Sequence, residues 1–238
     1  MSHTALDRWL ALRAYLSEDL LGGPRPWSMH HVINIQKGGT LVFVLGLMLW
    51  YDTWSLGAWA YLALHGSYGL CWLLKEAIFP DPGWRKPVTV AGGLASWALV
   101  LGPYWLAPWL LISQDVQVTP AHAAGATILY ALGLALMIGA DAQKYFVLRA
   151  RRGLITDGFF ARTRNPNYLG EMMIYASFAW LAAHPAPWLV LAWVWGGVFL
   201  PNMLRKDRSM SRYEQWPAYT QRSGLLLPRL GRHTAASP

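Results

Sequence analysis

The sequence predicts an all-α, polytopic membrane protein with about six transmembrane helices. Its composition is the first reason: 55% of the 238 residues are hydrophobic and 13% are charged, whereas about 25% charged residues is usual in a soluble domain. Fifteen Trp and eleven Tyr residues are the second reason, because amphipathic rings settle at the level of lipid headgroups. The third is that all twenty Lys and Arg residues fall on one side of the apolar stretches.

Residues 1–30 are expected to form an interfacial segment instead of a membrane span. Charged residues such as Asp7, Arg8 and Glu18 interrupt their leucines, so they lack the continuous apolar core of a cleaved signal peptide. We predict a helix that lies along the membrane surface, with Arg13 interrupting its apolar stripe.

Five apolar stretches are long enough to cross about 30 Å of hydrocarbon as helices, and a sixth carries Gln36 and Lys37 at its start. In chain order the spans run about 35–54, 57–77, 88–113, 120–141, 168–184 and 186–203. Pro103 lies inside the third span, which predicts a kink or a broken helix there. The connection His184–Pro187 is too short for anything but a tight antiparallel hairpin.

The distribution of basic residues predicts the topology. Lys and Arg residues lie at or before the start of the first span, in the second and fourth connections, and after the sixth span. The other three connections carry none, so the positive-inside rule puts both termini in the cytoplasm. Attraction to anionic lipid headgroups explains why this charge is positive and why it lies on one side of the membrane. It does not account for the polar residues within 144–171.

Asp141 and Lys144 stand three positions apart at the predicted cytoplasmic end of the fourth helix. Charged residues at such depth are costly, and they tend to be paired or functional. The alternative to a functional role is a local ion pair at the helix end, worth under about 1 kcal/mol if it is solvated.

The fifth helix is predicted to begin with a site for an anion. Asn165 suits the N-cap and Pro166 the first helical position, so free N–H groups would lie beside Arg162 and Arg164 and could bind phosphate. Glu171, one turn further along, would repel phosphate and is expected to accept from a sugar hydroxyl or an amide. This arrangement fits a nucleotide, but the spacing fits an ordinary capped helix with a solvated acid equally well.

The segment 205–228 that follows the sixth helix is basic and aromatic and ends in the apolar run LLLP. The short hairpin puts it on the same side of the membrane as 144–171. Two basic, aromatic segments would therefore converge on the start of the fifth helix and could bind a polyanionic cofactor. The alternative is a basic amphipathic tail lying on lipid.

Three motifs, ADAQK at 140–144, DGFFARTRNPNYLGE at 157–171 and K-D…Y…Y…RSGLLLP at 206–228, resemble the C-terminal domain of the steroid 5-alpha-reductase family. That family belongs to a membrane superfamily shared with sterol reductases, trans-enoyl-CoA reductases and isoprenylcysteine carboxyl methyltransferases. RNPNYLGE is the most specific part, although family members more often have His where Asn165 stands. The resemblance implies NADPH in a cytoplasm-facing cavity, with contacts from Asp141, Lys144, Arg164, Asn167, Tyr168, Glu171, Asp207, Tyr213 and Arg222.

The N-terminal half resembles the family less. The reductases use an intramembrane Tyr and a Gln-Glu pair to polarise the substrate carbonyl, and the first two helices here contain no Gln-Glu pair. Tyr68 is the candidate general acid, with His65 on a neighbouring face to tune it, and Gln36 is a further candidate. Packing with one satisfied hydrogen bond is the alternative role for a single Tyr or His in a helix.

These features predict one membrane domain, 1–238, in which 31–118 supplies substrate-side helices and 119–238 binds the cofactor. The predicted function is NADPH-dependent reduction of a C=C bond conjugated to a carbonyl. Hydride would reach the β-carbon while an acid such as Tyr68 stabilises the developing enolate oxygen. The substrate should be hydrophobic and enter from membrane lipid: a steroid, an isoprenoid enone or a fatty enoyl chain.

An S-adenosylmethionine-dependent methyltransferase of a lipid or prenylated thiol is the alternative. Those enzymes share the Arg-x-Pro-x-Tyr-x-Gly core but commonly carry a Glu-Glu pair after the last helix, where Lys206 and Asp207 stand here. A membrane scaffold without enzymatic activity is a third possibility. No metal or nucleic acid is expected, and the single cysteine, Cys71, excludes an internal disulfide and a cysteine-based zinc site.

Overall fold

The computed structural model describes residues 4–229, which are mostly helical and include two short antiparallel strands, β1 Trp27–Ser28 and β2 Pro87–Val88. The helices are α1 Ala5–Ala14, α2 Met29–Tyr51, α3 Leu56–Ile78, α4 Val90–Ser96, α5 Leu106–Ser113, α6 Pro120–Ala150, α7 Pro166–Leu181, α8 Pro185–Val194, α9 Leu200–Met210 and α10 Trp216–Arg222. Within the described residues, four helical segments are long and apolar enough to cross a membrane: Met29–Tyr51, Val90–Ser113, Pro120–Ala150 and Pro185–Met210. The predicted fold class, an all-α polytopic membrane protein, is confirmed.

Each of the six predicted spans is helical, with shifted bounds. α2 begins at Met29, before the predicted start at 35, and α6 continues to Ala150, past the predicted end at 141. Residues 142–150 contain no Gly or Pro that would end a helix. α7 has only 16 residues, so the count of six membrane crossings stays a prediction, as does the side on which the termini lie.

The predicted break at Pro103 is confirmed. Between α4 and α5 the chain forms a π-helical turn, Trp97–Leu101, and then a 3-10 turn, Gly102–Trp105, which contains the proline. A second π-helical turn, Trp195–Phe199, separates α8 from α9. Both turns interrupt the regular hydrogen-bond pattern of an α-helix, and such interruptions are frequent at functional sites.

The predicted hairpin between the fifth and sixth spans is also confirmed. α7 ends at Leu181, and α8 begins four residues later at Pro185. Ala183 has a left-handed backbone (φ 48°), which turns the chain sharply. His184 caps α8 by accepting from the N–H of Ala186 at 3.0 Å, so a polar side chain satisfies a donor at this helix end.

α6 and α7 pack against each other through glycines. A Cβ added at Gly170 would lie 2.5 Å from the backbone nitrogen of Met137 and 2.6 Å from the carbonyl oxygen of Gly133. Small residues allow the backbones of membrane helices to approach this closely. The contact fixes the first turns of α7, and with them Glu171, against the middle of α6.

The N-terminal helix α1 packs on the last long helical segment. The indole N–H of Trp9 donates to the carbonyl of Gly197 at 2.7 Å, and Arg13 donates to the side chain of Asn202 at 3.2 Å. Gly197 lies in the second π-helical turn, and its carbonyl is open to an outside donor because Pro201, four residues on, has no backbone N–H. The predicted helix is thus present, and its place at a membrane surface stays a prediction.

Candidate functional site

A cavity of about 850 Å³ opens among α2, α3, α6, α7, α9 and α10. This volume lies within the range of small-molecule and cofactor sites, roughly 300–1,000 Å³. Eight of the nine predicted cofactor-binding residues line it: Asp141, Lys144, Arg164, Asn167, Tyr168, Glu171, Asp207 and Tyr213. Arg222, the ninth, lies outside the wall described for this cavity, with its guanidinium over the ring of Tyr219. Whether these residues bind a cofactor stays a prediction.

Asp141 and Lys144 are ion-paired, but not with each other. Asp141 accepts from Lys75 of α3 at 3.0 Å, and Lys144 donates to Asp81 of the loop after α3 at 2.9 Å. The local pair considered from the sequence is therefore not formed, because two other segments supply the partners. Burial alone would raise the pKa of Asp81, but the Lys144 ammonium and a backbone N–H hold the pKa of this carboxyl below its usual value.

Arg164, just before α7, pairs with Asp207 of α9 at 2.9 Å. The same guanidinium donates to the carbonyl oxygen of Ser223 at 2.6 Å. We call these three pairs, Lys75–Asp141, Lys144–Asp81 and Arg164–Asp207, the ion-pair wall. Each of them joins segments that are distant in sequence, so the wall exists only in the folded chain.

The predicted N-cap position of Asn165 is confirmed, but its side chain does not cap α7. Its amide instead donates to the carbonyl of Leu225 at 2.8 Å and accepts from Lys206 at 3.2 Å. The tail and α9 thus take up this side chain, and Pro166 still occupies the first helical turn as predicted.

The C-terminal tail folds back onto the segment before α7, as the sequence predicted. The backbone N–H of Arg164 donates to the carbonyl of Gly224 at 2.9 Å, and the N–H of Gly224 donates to the carbonyl of Arg162 at 3.0 Å. Tyr219 donates its hydroxyl to the carbonyl of Phe160 at 2.8 Å, and burial raises the pKa of Tyr219 to about 12. The tail up to residue 229 is therefore part of the folded domain.

Lys37 of α2 is buried, and its ammonium reaches side chains of α3 and α7. Its ammonium contacts the hydroxyl of Tyr68, a carboxylate oxygen of Glu171 at 3.1 Å and the hydroxyl of Tyr175 at 3.3 Å. The Tyr68 hydroxyl in turn donates to the same Glu171 oxygen at 3.1 Å. We call these four residues the lysine cluster. Glu171 thus accepts from an ammonium and a phenol, whereas the sequence predicted a sugar hydroxyl or an amide.

Sequence reasoning missed Lys37 as a site residue, because it counted this lysine only as charge at the start of the first span. A signal was available: an ionisable residue followed by an apolar run within a membrane helix is a functional candidate by default. Its side chain is 4% exposed, and its ammonium lies 4.2 Å from the centre of the Trp72 ring.

The rings of His65 and Tyr68 lie 6.3 Å apart between their centres, but the hydrogen bond of His65 goes to another residue. Its ring nitrogen is hydrogen-bonded to the hydroxyl of Tyr61 at 3.0 Å, and its ring stacks on Phe178 at 4.1 Å. Its environment is that of a packed residue with one satisfied hydrogen bond, and a catalytic role stays a prediction. Gln36 is fully buried, and its side-chain amide has no hydrogen-bond partner within residues 4–229.

Together the fold and the cavity define a polytopic α-helical membrane protein with a charged cavity between its helices. The chain belongs to the family described as protein of unknown function (DUF1295), whose model matches residues 94–222. It is also similar to an uncharacterized protein of Schizosaccharomyces pombe, with 33% identity over 97 residues, or 38% of this chain and 28% of that protein. The chain thus covers less than a third of the length of this relative.

Proposed function

We propose that the protein is a membrane-embedded, NADPH-dependent reductase that saturates a C=C bond conjugated to a carbonyl in a hydrophobic substrate. The observation that carries the proposal is one cavity lined by the ion-pair wall and by three of the four residues of the lysine cluster, Lys37, Glu171 and Tyr175. The basic residues of the ion-pair wall would bind a polyanion. The ammonium of the lysine cluster would stabilise the negative charge that develops on a substrate carbonyl.

The wall of the cavity fits a polyanionic cofactor. Eight basic side chains line it against four acidic ones, and such an excess raises the local concentration of anions. Arg164 and Lys206 stand at the start of α7, where phosphate would meet a guanidinium, an ammonium and the positive end of a helix. When bound, the reduced nicotinamide supplies a hydride to the substrate.

Asn167 provides a second reason for a bound ligand. Its side-chain oxygen is buried and has no hydrogen-bond partner in the described part of the chain, although the residue lines the cavity. Leaving a buried acceptor unsatisfied costs about 1–3 kcal/mol, and a ligand N–H or hydroxyl would remove that cost. Asn167 and Tyr168 are therefore proposed to orient the cofactor one turn inside the phosphate contacts.

The apolar part of the wall supports a lipid-like substrate. Val100 and Leu101 from the first π-helical turn and Val198 and Phe199 from the second line the cavity with Tyr104. An apolar substrate would exclude water from the neighbouring charged groups, which strengthens their electrostatic effect on the reacting carbonyl.

The methyltransferase alternative has less support. Asp207 is already paired with Arg164, and Lys206 donates to the Arg164 carbonyl at 3.0 Å. The position where related methyltransferases commonly carry two glutamates therefore holds a cation and a neutralised acid.

The test is thermal stabilisation of detergent-purified protein by NADPH, NADH and S-adenosylmethionine in parallel. A ligand present at about 100 times its Kd stabilises the folded state by about 2.7 kcal/mol, so we expect a clear rise in Tm with NADPH. Stabilisation by S-adenosylmethionine but not by NADPH would support the methyltransferase, and stabilisation by neither would contradict both enzymatic functions.

A further inference from the structure

The four residues of the lysine cluster differ in their access to the cavity, and the sequence did not reveal this difference. Lys37, Glu171 and Tyr175 line the cavity, whereas Tyr68 is fully buried and lies outside the described wall. The hydroxyl of Tyr68 accepts from Lys37 and donates its proton to Glu171. The proton of Tyr68 is therefore already engaged by Glu171, and Tyr68 does not line the cavity.

We propose that the ammonium of Lys37 meets the carbonyl oxygen of the substrate and gives it a proton, and that Tyr68 positions this ammonium. The inference rests on the proposed reductase function, and it assigns the role of general acid to Lys37 instead of Tyr68. Lys37 is then the catalytic residue in the strict sense, and Tyr68 acts through it.

The surroundings of Lys37 pair its positive charge and engage all three of its donors, one of them at a longer distance than the others. Glu171 balances the positive charge at 3.1 Å, and the ring centres of Trp72 and Tyr68 lie 4.2 and 4.3 Å from the ammonium, where aromatic faces attract cations. An ammonium has three donors. The longest of its three hydrogen bonds, 3.3 Å to Tyr175, is the one that a carbonyl oxygen entering from the cavity would replace.

The proton and electron balance of the step is complete. The β-carbon of the substrate accepts a hydride from the reduced nicotinamide, and the electrons of the C=C bond move toward the carbonyl oxygen. An N–H bond of Lys37 breaks as an O–H bond forms on that oxygen, leaving a neutral amine and an enol. The enol tautomerises to the saturated carbonyl, and a proton from solvent restores the ammonium.

The first test needs neither cofactor nor turnover. The probe is 4-nitrophenol carrying a long alkyl chain, whose anion mimics an enolate oxygen and absorbs in the visible. We expect wild type to bind it as the phenolate and Lys37→Met to bind this anion at least about tenfold more weakly. Lys37→Arg should retain binding. Glu171→Gln should strengthen it, because an opposing charge is removed while the shape of the side chain is kept.

Lys86→Met is the matched control, because Lys86 is 60% exposed and lies outside the cavity. Its binding of the probe should equal that of wild type. Wild-type binding by Lys37→Met would overturn the proposal. If that variant fails to fold, Glu171→Gln decides, because unchanged or weaker binding of the phenolate by this variant would also overturn it.

The second test separates proton transfer from charge, using NADPH and a 4-en-3-one steroid as the enone. Arginine retains the charge but does not give up its proton, so Lys37→Arg should lose about 100-fold or more in turnover. Tyr68→Phe should lose much less. Wild-type turnover by Lys37→Arg, which a purely structural role would permit, would overturn the proposal.

Failure of the proposed function gives a different result. If NADPH does not stabilise the wild-type protein, the reductase function fails. The nitrophenolate measurement still decides whether Lys37 binds an oxyanion in this cavity.

Discussion

The ion-pair wall and three of the four residues of the lysine cluster line the same cavity, but the two regions hold their charges differently. In the wall, three cations each have a carboxylate of their own, supplied by a distant segment. In the cluster, Lys37 shares one carboxylate with the phenol of Tyr68 and is surrounded by aromatic rings. The wall therefore offers several charges that can exchange partners with a polyanion, whereas the cluster fixes a single donor at one point.

The two regions also differ in what folding requires of them. Removing one partner of a buried ion pair leaves an uncompensated charge, so the wall contributes to stability as well as to the proposed binding of a polyanion. Trp72 connects the regions, because the ammonium groups of both Lys37 and Lys75 lie over its ring at 4.2 and 4.6 Å.

Lys75→Met should have the largest effect on stability. Lys75 is 2% exposed and Asp141 is 15% exposed, so the variant leaves a mostly buried carboxylate unpaired at a cost of about 3–5 kcal/mol. The measurement is unfolding in detergent, and the double variant Lys75→Met/Asp141→Asn should recover much of the loss. Equal instability of the single and double variants would show that this pair does not stabilise the wall.

Arg164→Ala should weaken NADPH binding by about 10- to 100-fold, because a charge-assisted contact worth roughly 1.5–3 kcal/mol is lost. The measurement is NADPH-dependent stabilisation. Arg151→Ala, at an exposed residue just after α6 and outside the described wall, is the control and should leave binding unchanged. If both variants bind NADPH like wild type, the wall is not a cofactor site and the comparison with the lysine cluster fails.

Gly170→Ala tests whether the packing of α6 on α7 positions both regions. The added methyl group would overlap the backbone of α6, and overpacking of this kind typically costs about 1–3 kcal/mol. Gly46→Ala is the matched control within a helix, because a Cβ at Gly46 meets nothing within 4 Å. We expect a lower Tm for Gly170→Ala and an unchanged or slightly higher one for Gly46→Ala. The opposite order would contradict the close glycine contact.

Loss of the ion pair between Asp81 and Lys144 should have the smallest effect. We expect it to lower the free energy of unfolding by under about 1 kcal/mol, because both side chains are about a third exposed. The pKa of Asp81 is lowered in the folded protein. Its stabilisation is therefore complete above the unfolded-state pKa of about 3.9 and is lost as the pH falls through the lower folded-state pKa. Unfolding measured against pH should show this loss in wild type but not in Asp81→Asn, with the exposed Glu214→Gln as a control.

The sequence by itself determined the fold class, the approximate positions of the helical segments, the break at Pro103 and the hairpin before α8. It also determined that the tail and the segment before α7 meet, because the short hairpin returns the chain to the same side. These features depend on hydropathy, on the chemistry of proline and on connection length. All three are properties of neighbouring residues, so a single sequence carries them completely.

The tertiary structure alone decided which charges are partners. Asp141 and Lys144 are close in sequence but pair with Lys75 and Asp81, and the side chain of Asn165 binds the tail instead of capping α7. Lys37 meets Glu171 only because α3, which packs against both α2 and α7, holds the two helices within reach of one long side chain. The register between helices is set by contacts such as that of Gly133 with Gly170, and no pattern along one helix specifies which residue of another will face it.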